Sequence, residues 1–183
     1  MRDTRYRSMA GRSIDSLVQP AIRALGALCA AVLIAAGCTT APSPGQAREA
    51  VLSAWGTPSA RYPLAGGGER LEFASGPFGR TTWMVDIDAA GRVSGATQVL
   101  NEAHFADFQG RAPGMSRDQL LRELGTPGER KGAGLMGGEL WLWRYPTNDC
   151  LCFQVTIDTA ADKVRAAGYG IDWRCDAGRG ERS

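Results

Sequence analysis

Histidine occurs once in the 183 residues, at His104. One imidazole leaves nothing from which to build a histidine-based metal cluster or a Cys–His or Ser–His relay. A lone histidine on a helical stretch reads as a partly exposed structural residue. A long apolar run is also lacking. The stretch Ala24 to Ala36 falls short of the roughly 20 residues that a bilayer core of about 30 Å requires. No basic stripe interleaved with aromatics appears, which argues against nucleic acid as a partner. The glycine triplet Gly66–Gly68 does not open a helix and lacks the Lys-Ser/Thr of a phosphate loop. The carboxylate pairs Asp86/Asp88 and Glu69/Glu72 read as solvated faces or ends of strands. These absences point away from an enzyme and from any metal or organic cofactor.

What is present begins at the N-terminus. Arg2, Arg5, Arg7, Arg12 and Arg23 precede the short apolar run, and Gly37-Cys38 follows it. A basic region, a short apolar region and a small-residue cleavage site form an export signal. The string Leu33-Ile34-Ala35-Ala36-Gly37-Cys38 resembles the lipobox of bacterial lipoproteins, with Ala35 where leucine is usual. That resemblance implies a diacylglyceryl group on the Cys38 thiol, removal of residues 1–37 and acylation of the new amino terminus. No Asp follows the cysteine (Thr39 and Thr40 stand there), which by the same resemblance implies delivery to the outer membrane, facing the periplasm. Three acyl chains exceed the two signals needed for stable anchoring. The leader takes five Arg and two Asp of the chain's 21 basic and 19 acidic residues, so the remainder is near neutral, at −1.

Cys29 leaves with the leader, and Cys150, Cys152 and Cys175 remain in a compartment that permits disulfides. Cys150 opens a strand and Cys175 lies just past the end of the next, so a hairpin brings them together. A direct 150–152 bridge would be strained, and Cys150–Cys175 leaves the strand interior less distorted than Cys152–Cys175. Closing about 25 residues, it would add about 3 kcal/mol in the chain-entropy model. Cys152 is then a spare thiol. A Cys-x-Cys redox site is the alternative, with nothing basic beside it to lower a thiol pKa.

Beyond a small polar tether at 38–43, the chain repeats itself. Pro44-Gly45-Gln46-Ala47-Arg48 through Trp55-Gly56-Thr57-Pro58 aligns with Pro113-Gly114-Met115-Ser116-Arg117 through Leu124-Gly125-Thr126-Pro127. Each copy reads as a short helix. Ser116 and Gln119 form a capping box, and Gly125 and Pro127 end the helix. Ser43 to Gln46 offers a similar box before Val51, Leu52 and Trp55. A Gly-rich loop follows each Gly-Thr-Pro (Gly66–Gly68; Gly132 to Gly138), and then three strands: 70–74, 81–88 and 92–100; 140–145, 151–158 and 163–171. Trp83, Val85 and Ile87, like Phe153, Val155 and Ile157, alternate with more polar residues, marking one buried and one wetter face. A short helix near 101–109 opens the second copy. The fold class is α+β: two tandem α(α)βββ units, 44–100 and 101–175, with helices packed on antiparallel meander sheets and a disordered tail at 176–183.

Trp141, Trp143 and Tyr145 share one strand face, which is either core or a partner- or lipid-facing patch. Leu140 and Leu142 lie opposite, so both faces need cover. The motif at 114–127, with Leu-Trp-Leu-Trp-Arg-Tyr at 140–145, resembles the SmpA/OmlA (BamE-like) family of outer-membrane lipoproteins. The tandem pair also resembles the two-unit arrangement of β-lactamase inhibitory proteins. The first resemblance implies a non-enzymatic accessory of β-barrel assembly or envelope integrity, with barrel-assembly subunits as partners. The second implies a periplasm-facing protein-binding or inhibitory module.

Overall fold

The computed structural model describes residues 40–75 and 80–177, which belong to one compact unit beginning at Thr40. The leader, Cys38 with its lipobox, and residues 178–183 lie outside the described residues. Among the described residues no helix is long and apolar enough to cross a membrane.

Both copies of the repeat fold. In the first, α1 (Arg48–Trp55) precedes β1 (Ala60–Pro63), β2 (Glu69–Ala74), β3 (Thr82–Ile87) and β4 (Val93–Gln98). In the second, α2 (Glu102–Arg111) and α3 (Arg117–Leu124) precede β5 (Glu129–Gly132), β6 (Glu139–Trp143), β7 (Leu151–Asp158) and β8 (Lys163–Ile171). A helical turn, α4 (Arg174–Ala177), then occupies the start of what the sequence suggested was a disordered tail. The fold is α+β, with two antiparallel sheets ordered β1-β2-β3-β4 and β5-β6-β7-β8.

Each sheet has one strand more than the three expected. Ala-Arg-Tyr-Pro and Glu-Arg-Lys-Gly are too short and polar to show alternation. They are strands because they zip onto the free edges of β2 and β6 through tight hairpins. The copies also agree in detail. Gly45 N–H donates to the Val93 carbonyl and Gly114 N–H to the Val164 carbonyl, each at 2.8 Å. Arg48 pairs with Glu69 and Arg117 with Glu139. A bulge follows Asp86 in one copy and Thr156 in the other.

The helix starts differ. Ser116 and Gln119 make the expected capping box, with the Ser116 N–H donating to Gln119 Oε1 at 2.8 Å. The first copy has none: α1 starts after Ala47, and Ser43 to Gln46 forms a separate turn ahead of it. Alignment explains the correction, since Ala47 stands where the second copy has Ser116. Pro42, placed in the tether by sequence, is buried.

Gly125 ends α3 at φ +78° and ψ −171°, a region essentially closed to other residues. It also permits close approach, because a Cβ there would stand 2.8 Å from Thr82 Cγ2. Gly68 and Gly138 are required for another reason: their Cβ atoms would lie 2.4 and 2.1 Å from the carbonyl oxygens of Ile87 and Ile157, beside the bulges. Gly68→Ala is expected to lower stability by about 1–3 kcal/mol in urea unfolding, since backbone has to move to admit the methyl. Gly95→Ala, which meets open space, should leave the midpoint within about 0.5 kcal/mol.

The elements stack as helix, sheet, helices, sheet. Val51, Leu52 and Trp55 of α1 pack on Leu71, Phe73, Val85 and Ile87 from one face of the first sheet. The other face contributes Tyr62 and Met84 to a larger core with Phe105 and Phe108 of α2, Leu120 and Leu124 of α3, and the inner face of the second sheet. The first sheet is therefore covered on both sides. This corrects the wetter face assigned to β3: Thr82 and Met84 are as buried as Val85, while Trp83 is half-buried. It also corrects Glu72, expected to be solvated, which is fully buried.

Candidate functional site: the open end of the second sheet

The aromatic strand is core. Trp141, Trp143 and Tyr145 are 1%, 1% and 4% exposed, so the partner-facing reading of these three is corrected. Each is held in place: Trp141 Nε1–H donates to Glu139, Trp143 Nε1–H donates to the Gly125 carbonyl at 3.0 Å, and the Tyr145 ring meets Phe105 edge-on at 5.2 Å. Helices α2 and α3 claim the face that these residues share.

The exposed aromatics lie two strands further out, on and just beyond β8. Tyr169 (44%) and Ile171 (66%) lie at the end of β8, and Trp173 (46%) lies just beyond it. Ile171 faces Leu151 in register, and Tyr169 packs against Phe105, Tyr145 and Phe153. Sequence alone missed these three because β8 is mostly small and polar before them (Lys-Val-Arg-Ala-Ala-Gly). The clue was that β8 is the edge strand of its sheet, where period two no longer separates buried from exposed.

From Ile171 the chain turns back across its own sheet. Arg144 follows β6 and is 6% exposed. Its Nε and Nη2 donate to the two Asp172 carboxylate oxygens at 2.6 and 3.0 Å, and Nη2 also donates to Glu129 at 2.8 Å. The Arg144 guanidinium holds Asp172 and Glu129 below the usual carboxylate range. Trp173 Nε1–H completes the clasp by donating to Glu129 on β5. Because Glu129 is the register partner of Leu142, the segment crosses the outer face at β6. That crossing accounts for Leu142 and Cys152 being fully buried. Leu140, away from it, is half-buried.

Beside the clasp is a cavity of about 330 Å³ lined by Arg80, Arg144, Tyr145, the 147–151 loop, Asp172 and Cys175. Cys150 and Cys175 thus line one cavity, as thiols in this structure. A two-step backbone relay ties them: Asp172 N–H donates to the Cys150 carbonyl and Cys175 N–H to the Asp172 carbonyl, both at 2.9 Å. Cys152 is set apart on the outer face. Gln154 Nε2–H donates to its sulfur at 3.4 Å, and the Gln154 side chain lies over Gly170 in space that a Cβ would take. Burial pushes the Cys152 thiol up, which disfavours the thiolate needed for redox exchange. On mild oxidation, peptide mapping should find Cys150 linked to Cys175, with Cys152 alkylated only after unfolding. A linked Cys152 would refute this pairing.

His104 is half-buried on α2, and burial lowers its imidazole pKa. Asp86 accepts from Arg70 at 2.6 Å and Asp88 caps the β3–β4 turn by accepting from Ala90 N–H. Glu69 pairs with Arg48 and Arg61. Among the described residues no three His, Cys, Asp or Glu side chains group to hold a metal.

No protein-family profile matches the chain, and no curated protein sequence resembles it. A cysteine-rich secretory protein of Staphylococcus aureus, known from its crystal structure, is similar over 71% of this chain and 44% of its own, at 14% identity and a TM-score of 0.25. The chain therefore spans less than half the length of that protein, and a likeness at this level carries no argument about fold or function.

Proposed function

We propose that the protein is an outer-membrane lipoprotein, anchored through acylated Cys38 and facing the periplasm, that works by binding rather than by catalysis. The lipobox-like string and the motif at 114–127 support the anchor and the SmpA/OmlA-like assignment. In that role it assists β-barrel assembly or envelope integrity by docking onto assembly subunits. The observation that carries a binding role is the pair Tyr169 and Ile171, large side chains exposed on one face at the end of the edge strand β8. Only four peptide links separate Cys38 from buried Pro42, so a lipid on Cys38 would hold the folded unit within about 14 Å of its attachment point. Confinement at that distance raises the effective concentration of the docking end for membrane partners.

A second reading, an inhibitor of a soluble periplasmic enzyme, is favoured by the fusion of two repeats around one shared core. Affinity capture from gently solubilised outer membranes separates the two. Under the first reading barrel-assembly subunits co-purify with lipidated protein, and Ile171→Asp with Tyr169→Ala reduces their yield at least tenfold. Under the second a single soluble enzyme dominates. Mass spectrometry of the mature N-terminus tests the anchor itself.

A further inference from the structure

The edge of a sheet is a row of unpaired backbone donors and acceptors, and this fold blunts three of its four edges. β1 and β5 are four residues long and carry Pro63, or the charges Glu129, Arg130 and Lys131. β4 stops at Gln98, whose carbonyl accepts from Asn101 Nδ2 at 2.6 Å as the chain turns into α2. β8 is the exception. It runs nine residues against six for β4. Only its start is covered, where Val164 exchanges backbone hydrogen bonds with Gly114 and Met115.

The outward groups of β8 follow from its register. Asp172 N–H donates to the Cys150 carbonyl, so Gly170 and Gly168 also bond inward to β7. Ala167, Tyr169 and Ile171 therefore turn their N–H and C=O groups outward. Among the described residues nothing donates to these groups or accepts from them. Gln109 of α2 approaches, with Nε2 3.7 Å from where a Cβ on Gly168 would stand, but makes no hydrogen bond to the strand. The same stretch exposes the Tyr169 and Ile171 side chains, and from Ala166 to Ile171 it holds no charge and no proline.

Another extended backbone closes such an edge, and the residues select whose. A foreign strand is chosen through pockets for its alternate side chains, whereas Ala166, Ala167, Gly168 and Gly170 offer only methyl groups and hydrogens. A second copy needs no pocket. Laid antiparallel about a twofold axis at Tyr169, it sets Ile171 against Ala167 of the second copy, large against small, and Tyr169 against its own counterpart. Arg165 and its counterpart then stand at opposite ends, roughly 27 Å apart, so these like charges do not meet.

We propose that β8 pairs with β8 of a second copy, antiparallel and centred on Tyr169. The pairing joins two four-stranded sheets into one continuous sheet through about six backbone hydrogen bonds. One strand pair is a small interface, so it is weak in free solution and populated by confinement to a membrane surface. That confinement rests on the lipid-anchor reading; the pairing does not. Because pairing covers Tyr169 and Ile171, it and the docking proposed above are alternative uses of one end.

The test places the photo-crosslinker benzoylphenylalanine at Ile171 of lipidated protein in outer membranes. Irradiation should yield a dimer of this chain, linked to the tryptic peptide 166–174 of the second copy. The same group at Thr97, exposed on β4, should yield none. Unacylated Cys38→Ser protein should show a monomer–dimer equilibrium in sedimentation at roughly 0.1–1 mM. Ile171→Pro removes an outward N–H while leaving the bonds to β7, and should weaken that association at least tenfold. Ile171→Lys, which keeps the N–H and brings a charge to the seam, should weaken it as well, and urea midpoints show that both variants are folded. Cross-linking from Ile171 to another protein in place of a copy overturns the pairing, as does sedimentation as a monomer throughout that range. Absent lipid defeats the anchor reading and absent assembly subunits defeat the docking reading; sedimentation decides the pairing in either case.

Discussion

Arg144→Ala is expected to cost about 3–5 kcal/mol and to release the C-terminal segment from the second sheet. Arg144 bridges two carboxylates, and both it and Asp172 are buried. Removing it leaves buried Asp172 with only the Arg174 backbone N–H and Glu129 with only the Trp173 indole N–H as hydrogen-bond donors. Without the clasp, Leu142 and Cys152 lose their cover. Urea unfolding measures the loss, and alkylation of Cys152 in the native protein reports the uncovering. Arg144→Met keeps the packing of the stem, so it should lose somewhat less. Adding Asp172→Leu should recover much of the stability, because no buried charge then remains alone. The pH dependence follows in sign. The folded pKa values of Asp172 and Glu129 lie below their unfolded values. Their contribution is therefore complete above the unfolded value near 4 and disappears as pH falls through the folded values. Wild type should weaken steeply below about pH 4, and Arg144→Met should do so less. An unchanged acid slope in Arg144→Met would show that the clasp is not the group titrating.

Glu72→Ala should be comparably damaging, at about 3–5 kcal/mol, through a different mechanism. The buried Glu72 carboxylate accepts from Tyr62 Oη–H at 2.7 Å, Ser59 Oγ–H at 2.9 Å and the Thr126 backbone N–H at 3.1 Å. The last bond crosses from the first repeat to the second. Arg70 and Arg122 reinforce the seam by donating to the carbonyls of Arg122 and Pro63. Alanine leaves the buried Tyr62 hydroxyl unanswered and removes the acceptor shared by Ser59 and the Thr126 N–H at the interface between the copies. Glu72→Gln, which keeps an acceptor but turns an amide N–H2 toward the remaining donors, should lose less than alanine while still destabilising. Burial and the Glu72 hydrogen bond raise the Tyr62 pKa well above its usual 10.0. A raised folded pKa gives stability that is complete below the unfolded value near 10 and is lost as pH climbs beyond it. Alkaline softening of the wild type should therefore be blunted in Tyr62→Phe. Equal softening in both would assign it to another group.

The sequence made the repeat legible because capping residues, Gly-Thr-Pro stops and alternation are local signals. Strands 151–158 and 163–171 and the capping box at Ser116 match the structure in detail. The misses share a non-local cause. β1 and β5 are strands only because a neighbour offers its edge. Glu72, Thr82 and Met84 looked wet because alternation tells two faces apart but not which is covered, and here α3 of the other copy covers the second face. Trp141, Trp143 and Tyr145 face α2 and α3, while the exposed Tyr169 and Ile171 owe their exposure to the edge position of β8. Alternation along a strand carries no information about either arrangement.

The double-sided burial of the first sheet has a consequence for how the chain matures. Residues 40–100 leave the ribosome, and any secretion channel, ahead of residues 101–177. On their own they can complete only the α1 side of their sheet. The opposite face, with Glu72, Tyr62 and Met84, waits for α3. A nascent chain halted between the repeats therefore displays a half-dressed sheet, in which a buried carboxylate and two apolar residues are still wet. The interval before α3 arrives is when the protein is most open to aggregation and to proteolysis. Synthesis or export slowed within residues 101–124 should lengthen that interval more than the same pause placed after Leu124.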